Sequence, residues 1–424
     1  MFKKSLLVTA LCFSMIARAQ DTITVMTYNL LNYGNYTSYC TSSNNNASVK
    51  DPALKTIMTY AKPDILCVNE ISPSATYHQR ILTNVLNVDG VTKYARGTIK
   101  NLASSDIVNM IYYNTEKLGY HSHRVVQSSV RDIDLFRLYI ITPDLLSGDT
   151  IYVSVMTAHL KAGSSTSDAI SRGTMARNVM AYIKNNFQPG NFMIMGDFNL
   201  YTSDEEAWQQ FTNYTYLQYA FVDPINKIGN WNNNVNFAEW HTQSTHTSSN
   251  CFSGGGMDDR FDFILTSKDI RDGKKAVKYI PGSYKTIGQD GMRFNKSLTD
   301  YPTNNSAPEE VINALYASSD HLPVMLKLMA DKTLDISEIS FAEYFNVVNP
   351  LKDIVQIDIK TLRPENLRFE LFDLSGKSLL DKNQKTTSGS LQLNFDVKNI
   401  PSGFYILKVS NQEGRSFSHK LIKL

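Results

Sequence analysis

The chain has 424 residues, a formal net charge of +2, 42% hydrophobic residues and 4 cysteines. This near-neutral balance argues against a protein that captures nucleic acid through its overall charge, although a local basic patch remains compatible with it. The length exceeds one ordinary core and favours one large domain with one small one. Beyond the first 19 residues, no segment approaches the roughly 18 uninterrupted apolar residues that a transmembrane helix needs.

The first 19 residues, MFKKSLLVTALCFSMIARA, have the features of a secretory signal peptide. Two lysines precede an apolar stretch, and an Ala-x-Ala pattern ends at Ala19. We therefore expect a mature chain that starts at Gln20. Losing Lys3, Lys4 and Arg18 takes the formal charge from +2 to −1.

The cysteines fall in different settings. Cys12 lies in the leader, and Cys67 lies inside the apolar run DILCVNE, which is typical of a core position. Cys40 and Cys251 lie in polar loops, so a disulfide between them is compatible with an oxidising compartment.

Strand and helix patterns alternate from residue 21 onward. The apolar runs TITVMTYNLL, DILCVNEI, VNMIYYN, FRLYIIT, IYVSVMTAHL and NFMIMGDFNL predict strands. Helical spacing of apolar residues predicts helices over PALKTIMTYAK and DAISRGTMARNVMAYIKNNF. Two further strands, RFDFILTS and HLPVMLKLM, follow a long polar segment.

That polar segment, NWNNNVNFAEWHTQSTHTSSNCFSGGG, reads as a loop. Its aromatic residues Trp231, Phe237 and Trp240 are suited to stacking on bases or to dipping into a lipid surface. Packing within the loop is an equally good interpretation.

The pattern changes after residue 331. Short alternating runs, including IVQIDIK, LRFELFDL and FYILKVS, are separated by Gly, Asn, Pro and Ser without a helical period. This pattern predicts a small all-β sandwich, with a boundary near residue 332.

Polar side chains end several of the apolar strands. Asp197 and Asn199 project to the same side because alternate residues of a strand share a face. Taken alone, Asp197 is also suited to starting a turn or capping a helix. The same polarity recurs at Asn29, Glu70, His159, Asp320 and His321.

Strand ends at one edge of a layered α/β fold are the usual place for a site. The residues here are carboxylates, amides and imidazoles, without cysteine. Hard oxygen ligands of this kind favour Mg²⁺, Mn²⁺ or Ca²⁺ over a structural zinc site.

Six motifs, TYNLLNYG, VNEIS, TAHLKAG, MGDFNL, RFDFIL and SSDHLPV, occur in this order over residues 24–325. Together they resemble the endonuclease/exonuclease/phosphatase superfamily, which includes deoxyribonuclease I, abasic-site endonucleases, neutral sphingomyelinases and inositol-polyphosphate phosphatases. The resemblance implies an α/β four-layer sandwich of two mostly antiparallel sheets flanked by helices. The local pattern alone leaves a doubly wound sheet open.

The resemblance also implies roles for the polar residues. Glu70, assisted by Asn29, would hold the divalent cation, and Asp320 would add to this site directly or through water. Asp197 and Asn199 would orient the attacking water and bind the phosphate.

The remaining roles fall to a pair of histidines and a third carboxylate. His159 and His321 would donate hydrogen bonds to phosphate oxygens or act as general base and acid. Asp262 would orient His321 and raise its basicity. Which group takes the proton from water stays open between the histidines and Asp197.

Two departures separate the chain from abasic-site endonucleases. Leu31 stands where those enzymes have an acid two residues after the first-motif Asn, and His159 stands where they have Tyr. Both favour the branch of extracellular nucleases and sphingomyelinases. Lys161 and Arg172, with Arg177 nearby, are candidate phosphate-binding residues, although exposed helical arginines often form only a solvated face.

The C-terminal segments LFDLSGKSLL, NIPSGFYILKV and SHKLIKL resemble the sorting domain of proteins exported by type IX secretion. The match over residues 338–424 implies passage across the outer membrane. A carbohydrate- or surface-binding sandwich is the alternative. The expected organisation is a signal peptide over 1–19, a catalytic domain over 20–331 and the sorting domain.

The sequence therefore predicts a secreted or cell-surface phosphodiesterase that uses Mg²⁺, with Mn²⁺ or Ca²⁺ as alternatives. The expected substrate is extracellular DNA or RNA. A sphingomyelinase-like phospholipid phosphodiesterase or phosphatase is the alternative, and a non-catalytic adhesion module is a more distant one. The expected partners are the nucleic acid substrate and the type IX secretion machinery, without a stable protein partner.

Overall fold

The computed structural model describes residues 21–141, 150–330, 341–361, 363–374, 376–386, 390–413 and 415–424. The predicted signal peptide lies outside the described residues. The chain divides into two compact units between residues 332 and 333. In the described ranges, no helix combines the length and apolarity needed to cross a membrane.

The first half of the first unit comprises, in chain order, β1 (Asp21–Tyr33), α1 (Ala47–Ala61), β2 (Ile65–Ile71), α2 (Ala75–Ile81), β3 (Tyr94–Arg96), β4 (Val108–Asn114), β5 (Leu118–Gln127), β6 (Ile133–Ile140) and β7 (Tyr152–His159). It continues with α3 (Thr166–Asn186), β8 (Phe192–Asp197), α4 (Glu206–Thr212), β9 (Phe221–Val222), β10 (Asp262–Ser267), α5 (Lys268–Asp272), β11 (Val277–Tyr279), β12 (Lys285–Thr286), α6 (Glu309–Ser318) and β13 (Val324–Ala330). A π-helical turn at Leu82–Leu86 and a 3₁₀ turn at Val235–Trp240 complete it.

These strands form two mixed sheets. The first sheet has the order β11-β13-β1-β2-β4-β3, with β12 also paired to β13. The second sheet has the order β5-β6-β7-β8-β10-β9. Each sheet contains one parallel pair, β1 with β2 and β7 with β8, among antiparallel neighbours.

Apolar side chains pack the two sheets against each other and against the helices, which gives four layers. Along β1, Val25 packs between the two sheets, whereas Met26 faces the helices on the outer side of the first sheet. In β8, Met193 and Met195 likewise pack between the sheets, and Ile194 lies against α3 and α4. This alternation places a helical layer on each outer face and confirms the predicted four-layer sandwich.

The elements differ from the sequence prediction mainly at their ends. Helix α1 begins at Ala47, five residues before the predicted Pro52, because the side chain of Asn46 accepts the amide hydrogen of Ser48 and caps it. Strand β5 was not predicted, because its sequence LGYHSHRVVQ lacks an apolar alternation.

The second unit is all β. It contains β14 (Ala342–Val347), β15 (Ile354–Thr361), β16 (Asn366–Asp373), β17 (Ser378–Lys385), β18 (Ser390–Asp396), β19 (Gly403–Asn411) and β20 (Ser416–Lys423). Sheets β14-β15-β18 and β17-β16-β19-β20 enclose one core that includes Ile357, Phe369 and Leu407. The predicted small sandwich is therefore present. The exposed strand β17 was missed because its sequence SLLDKNQK carries no alternating pattern.

Candidate active site

The polar strand ends meet at one edge of the two sheets. His159 closes β7 and Asp197 closes β8, and the two residues are paired in register because these strands run parallel. Asp262 opens the antiparallel neighbour β10, where it is paired with Asp197. Asn29 lies within β1, which continues to Tyr33 rather than ending at the asparagine. Pairing therefore brings residues that are far apart in sequence to one place.

The carboxylate of Asp197 is the centre of this cluster. Its Oδ1 accepts the backbone amide of Asn199 (3.0 Å), and its Oδ2 accepts a hydrogen bond from Asn29 Nδ2 (3.1 Å). The same Oδ2 lies 3.5 Å from His159 Nε2 and 3.8 Å from His321 Nε2. Burial raises the pKa of Asp197 to about 7, although the charge of His321 opposes this rise.

The two histidines have opposite electrostatic surroundings. Burial, Arg131 and His321 together hold the pKa of His159 well below its usual range. Burial alone also lowers the pKa of His321, but the carboxylates of Asp262 and Asp197 raise it well above its usual range. The pKa values of the two histidines are therefore displaced in opposite directions from the ordinary value.

The ring of His321 is fixed from both sides. Its Nδ1 donates to Asp262 Oδ2 at 2.7 Å, and the side-chain amide of Gln243 lies 2.9 Å from Nε2. The atom of Gln243 that faces Nε2 is its amide nitrogen, and Asn29 Nδ2 lies 3.4 Å from the same ring atom. The pairing of Asp262 with His321 agrees with the role that the resemblance implies for it. Gln243 was not identified from the sequence, because nothing in its polar loop distinguishes it.

Asn29 and Glu70 are held by an irregular bend in β1. Asn29 Nδ2 donates to Glu70 Oε1 (3.0 Å), and Asn29 Oδ1 accepts the amide of Leu31 (2.9 Å). The amide of Asn32 donates to Glu70 Oε2 at 3.0 Å. Leu31, Asn32 and Glu70 have φ angles of 48°, 50° and 58°, in the left-handed region. Such strained backbone clusters at functional sites.

Asn69 is a further site residue that sequence reasoning missed. Its Oδ1 accepts the amide of Asp197 (3.1 Å), and its Nδ2 donates to the carbonyl of Ala158 (3.2 Å). It thereby ties the first sheet to the ends of β7 and β8. Gly196 has φ +134°, and a Cβ there would lie 2.0 Å from the Ala158 oxygen and 2.8 Å from Asn69 Oδ1. The glycine of the MGDFNL motif is therefore required by this close approach.

The donor set fits a divalent cation. Glu70, His159 and Asp197 each offer a ligand atom, and these atoms lie within 4.8 Å of one another. Asp320 accepts the amide of Ser253 through Oδ2 (2.8 Å), whereas its buried Oδ1 has no hydrogen-bond partner. Carboxylate oxygens of this kind suit a hard cation. Asn29 turns its amide nitrogen toward Glu70 and Asp197, so in this arrangement it donates hydrogen bonds to both carboxylates.

These groups line a cavity of about 740 Å³. Glu70, His159, Asp197, Asn199, Asp320 and His321 contribute to its wall. The wall also includes amides and hydroxyls (Asn32, Thr37, Ser38, Asn250 and Ser253), the aromatic residues Tyr39, Tyr201, Phe252 and Phe261, and the cation Arg131. The site thus combines charged groups with hydrogen-bonding and stacking surfaces.

A disulfide joins two of the loops that line the cavity. Cys40 and Cys251 are bonded, and 211 positions separate them in the sequence. The link was left open by the sequence. Cys67 is buried in the core as expected. By closing a long loop, the disulfide lowers the conformational entropy of the unfolded chain, which favours the folded state by roughly 5 kcal/mol.

The predicted phosphate-binding cations lie outside the set of residues that line the cavity. Lys161 forms an ion pair with Asp168 (2.8 Å). Arg172 is 1% exposed and pairs with Glu205 at 2.7 Å. Arg177 pairs with Glu206. In this arrangement each of these side chains is paired with a carboxylate, and Arg131 is the cation among the residues that line the cavity.

The aromatic residues of the long loop pack inward. Trp231 is fully buried in the core between the second sheet and its helices, and Phe237 packs against that core. Trp240 is half-buried beside Tyr284, with ring centroids 6.3 Å apart. Of the interpretations left open by the sequence, loop packing describes these three residues.

Fold and site together define a layered α/β protein whose cavity gathers carboxylates, imidazoles and amides that could hold a divalent cation. Residues 26–321 match the model of the endonuclease/exonuclease/phosphatase family, and the chain belongs to this family. Residues 349–424 match the secretion system C-terminal sorting domain, which indicates export to the cell surface or the medium. No curated protein matches the chain.

Solved structures similar to this chain come from several organisms. Zebrafish (D. rerio) TDP2 complexed with a single-strand DNA product is 15% identical with a TM-score of 0.45, and the alignment covers 73% of this chain and 99% of that one. A Bacteroides thetaiotaomicron protein of the same family is 16% identical with a TM-score of 0.45, covering 74% and 96%. The human nocturnin catalytic domain with bound sulfate is 13% identical with a TM-score of 0.43, covering 74% and 98%.

Proposed function

We propose that the protein is an exported, divalent-metal-dependent phosphodiesterase that hydrolyses nucleic acid. The observation that carries this proposal is the convergence of two oppositely tuned imidazoles on one oxygen, Asp197 Oδ2, beside the carboxylate of Glu70. Family membership supports a hydrolase of the phosphodiesterase or nuclease type.

A divalent cation such as Mg²⁺ would be held by Glu70, with Asn29 and Asp320 beside it. When bound, it would polarise the phosphate and stabilise negative charge on the leaving oxygen. The structural support is the unpartnered buried oxygen Asp320 Oδ1, together with Glu70, which offers one ligand atom of the cluster that it forms with His159 and Asp197.

The protein side chains divide the remaining work. Asp197 accepts the proton of the attacking water, because its raised pKa of about 7 suits a general base at neutral pH. Protonated His321, held by Asp262, donates from Nε2 to a phosphate oxygen and compensates the developing charge. Neutral His159 hydrogen-bonds the phosphate, and Asn199 fixes Asp197 through its backbone amide.

The cavity wall favours nucleic acid as the substrate class. Amide and hydroxyl side chains such as Asn32, Thr37 and Asn250 suit base edges, sugars and phosphates. Aromatic rings such as Tyr39 and Phe252 suit stacking on bases. We propose that the same cavity binds the DNA or RNA strand at the point of cleavage.

The test offers plasmid DNA and, separately, RNA to the full chain, with Mg²⁺ and with EDTA. We expect cleavage in Mg²⁺ and none in EDTA. His321→Ala should lose at least 10²-fold in rate, because it removes a charged donor to the phosphate. His121→Ala is the matched control, since His121 is exposed and lies outside the cavity wall.

Sphingomyelin vesicles form a parallel arm of the same experiment. Vesicle hydrolysis that needs Mg²⁺ and His321, without cleavage of DNA or RNA, would overturn the proposed substrate while keeping the chemistry. No activity on any of the three substrates would contradict the proposed function itself.

A further inference from the structure

The first turns of α1 contain a lysine that the reaction does not use. Lys50 is 3% exposed, although lysine is among the residues least often buried. Its Nζ donates to the carbonyls of Leu30 (2.8 Å) and Leu31 (2.9 Å) and to Asn45 Oδ1 (2.7 Å). An ammonium group has three N–H donors, so all of them are satisfied.

Asn45 completes the arrangement. This buried side chain accepts from Lys50 and donates through Nδ2 to the carbonyls of Leu31 (3.0 Å) and Asn32 (3.1 Å). Lys50 and Asn45 together therefore bind three successive carbonyl groups, at residues 30–32. We call this pair the Lys50–Asn45 clamp.

The clamped segment is the strained bend of β1. Leu31 and Asn32 have φ angles of 48° and 50°, in the left-handed region that residues with a β-carbon adopt where the surrounding structure holds them there. The register of β1 with β2 shifts between Asn29 and Tyr33, so regular strand pairing does not hold this bend. The clamp supplies the hydrogen bonds that the ladder lacks.

The opposite side of the same bend faces the cation ligands. The amide of Leu31 donates to Asn29 Oδ1 (2.9 Å), and the amide of Asn32 donates to Glu70 Oε2 (3.0 Å). The clamp acts on the carbonyls of the bend, and the amides of the bend fix Asn29 and Glu70. Groups placed behind metal ligands in this way orient them.

We propose that the Lys50–Asn45 clamp positions Glu70 and Asn29 for the divalent cation. Lys50 is thus a positioning residue, and it does not contact the substrate or the reacting atoms. This inference rests on the proposed function for the existence of the cation site. Burial lowers the pKa of Lys50 to about 7, and the carboxylates of Asp320 and Glu70 oppose this lowering.

The test compares Mn²⁺ binding by Lys50→Met and by the unaltered full chain, using calorimetry without substrate. Methionine keeps the length of the side chain and removes its three donors. Residues that orient metal ligands without contacting the metal typically change metal affinity 10- to 100-fold. We therefore expect the Mn²⁺ dissociation constant to rise by about that factor. Cleavage of DNA in Mn²⁺ should fall in parallel at subsaturating metal.

The matched control is Lys55→Met on the same helix. Lys55 forms a surface ion pair with Asp89, at 2.7 Å and with 37% and 71% of the two side chains exposed. Lys55→Met should leave the Mn²⁺ dissociation constant within about twofold of that of the unaltered chain, because exposed ion pairs contribute little to the stability of the fold. Circular dichroism and the unfolding midpoint show whether each variant is folded.

If Lys50→Met does not fold, Asn45→Ala replaces it, since this change removes the other half of the clamp. A folded Lys50→Met or Asn45→Ala variant with unaltered Mn²⁺ affinity would overturn the inference. An unaltered chain that binds no Mn²⁺ would overturn it too. An unaltered chain that binds Mn²⁺ but cleaves no phosphodiester would contradict the proposed function alone, because the comparison of affinities still decides the role of the clamp.

Discussion

The two units of this protein reach their stability by different means. In the second unit, β15 alternates regularly, with Val355, Ile357 and Ile359 buried. Among the described residues of that unit, positive φ angles occur only at Gly376 and Gly403. In the first unit, the site contains strained residues at Leu31, Asn32, Glu70 and Asn199. Its imidazoles and the carboxylates of Asp197, Asp262 and Asp320 are buried, and Glu70 is partly buried.

The difference shows what a site demands of a fold. A sandwich that packs mainly apolar side chains needs regular strands, and its few buried polar side chains, such as Thr361 and Thr386, hydrogen-bond to each other (2.8 Å). A site that gathers like charges in a low dielectric needs irregular backbone, amides and a buried lysine to hold them. Substitutions in the two units should therefore separate effects on chemistry from effects on stability.

The largest expected effect is on chemistry. Asp262→Asn removes the carboxylate that holds Nδ1 of His321 and should reduce kcat/KM by about 10³-fold, or ~4 kcal/mol. Asp204→Asn is the control, because Asp204 is exposed and outside the cavity wall. The unfolding midpoint should change far less than the rate. A loss of rate that merely tracks loss of folded protein would contradict the assignment.

The pH profile sharpens the same prediction. Activity should fall as the pH drops below about 7, because Asp197 becomes protonated and no longer accepts a proton. It should persist on the alkaline side, because the pKa of His321 is held well above its usual range. In Asp262→Asn the alkaline limit of activity should move to lower pH. The variant lacks one of the two main carboxylates that keep His321 protonated.

The next effect joins chemistry to stability. Gly196→Ala should destabilise the first unit by about 3 kcal/mol and reduce activity, because its Cβ would meet the Ala158 carbonyl and Asn69. Gly90→Ala is the control, with φ +86° but no atom within 4 Å of the added Cβ. It should cost only about 1 kcal/mol. Equal losses for both variants would show that the close approach is unimportant.

The smallest effect is confined to the second unit. Leu407→Ala should destabilise the sandwich by about 2 kcal/mol or more, because Leu407 is 1% exposed. All 3 tryptophans, Trp208, Trp231 and Trp240, lie in the first unit, so their fluorescence reports its unfolding alone. The urea unfolding curve monitored by circular dichroism should shift to lower urea. The unfolding curve monitored by tryptophan fluorescence and the rate of DNA cleavage should not change. A shift in fluorescence would mean that the two units unfold together.

Much of the fold was predictable from local pattern. Strands whose residues all lie in the core, such as β4 and β8, appear as continuous apolar runs. Strands such as β5 and β17 were missed because their pairing partners, rather than their own sequences, make them strands. The order of strands in the two sheets was likewise out of reach of local pattern, and the resemblance to a family implied only the four-layer arrangement.

The candidate site divides in the same way. Polar residues at the ends of apolar runs identified Glu70, His159, Asp197 and His321, because such positions seldom carry charge without a reason. The supporting residues Asn69, Gln243 and Lys50 gave no signal, since their roles depend on contacts across long separations in sequence. Arg172 was predicted to bind phosphate from its position alone, and only the structure shows that it is buried and paired with Glu205.

By itself, the sequence determined the strand and helix periods, the boundary region between two units, and the chemical types gathered at strand ends. These are properties of neighbouring residues and of their hydrophobic alternation. Only the tertiary structure decided which strands pair, that Cys40 bonds Cys251, and that His159 and His321 are tuned in opposite directions. Those outcomes depend on burial and on charges within a few ångströms, and residues far apart in the chain supply both.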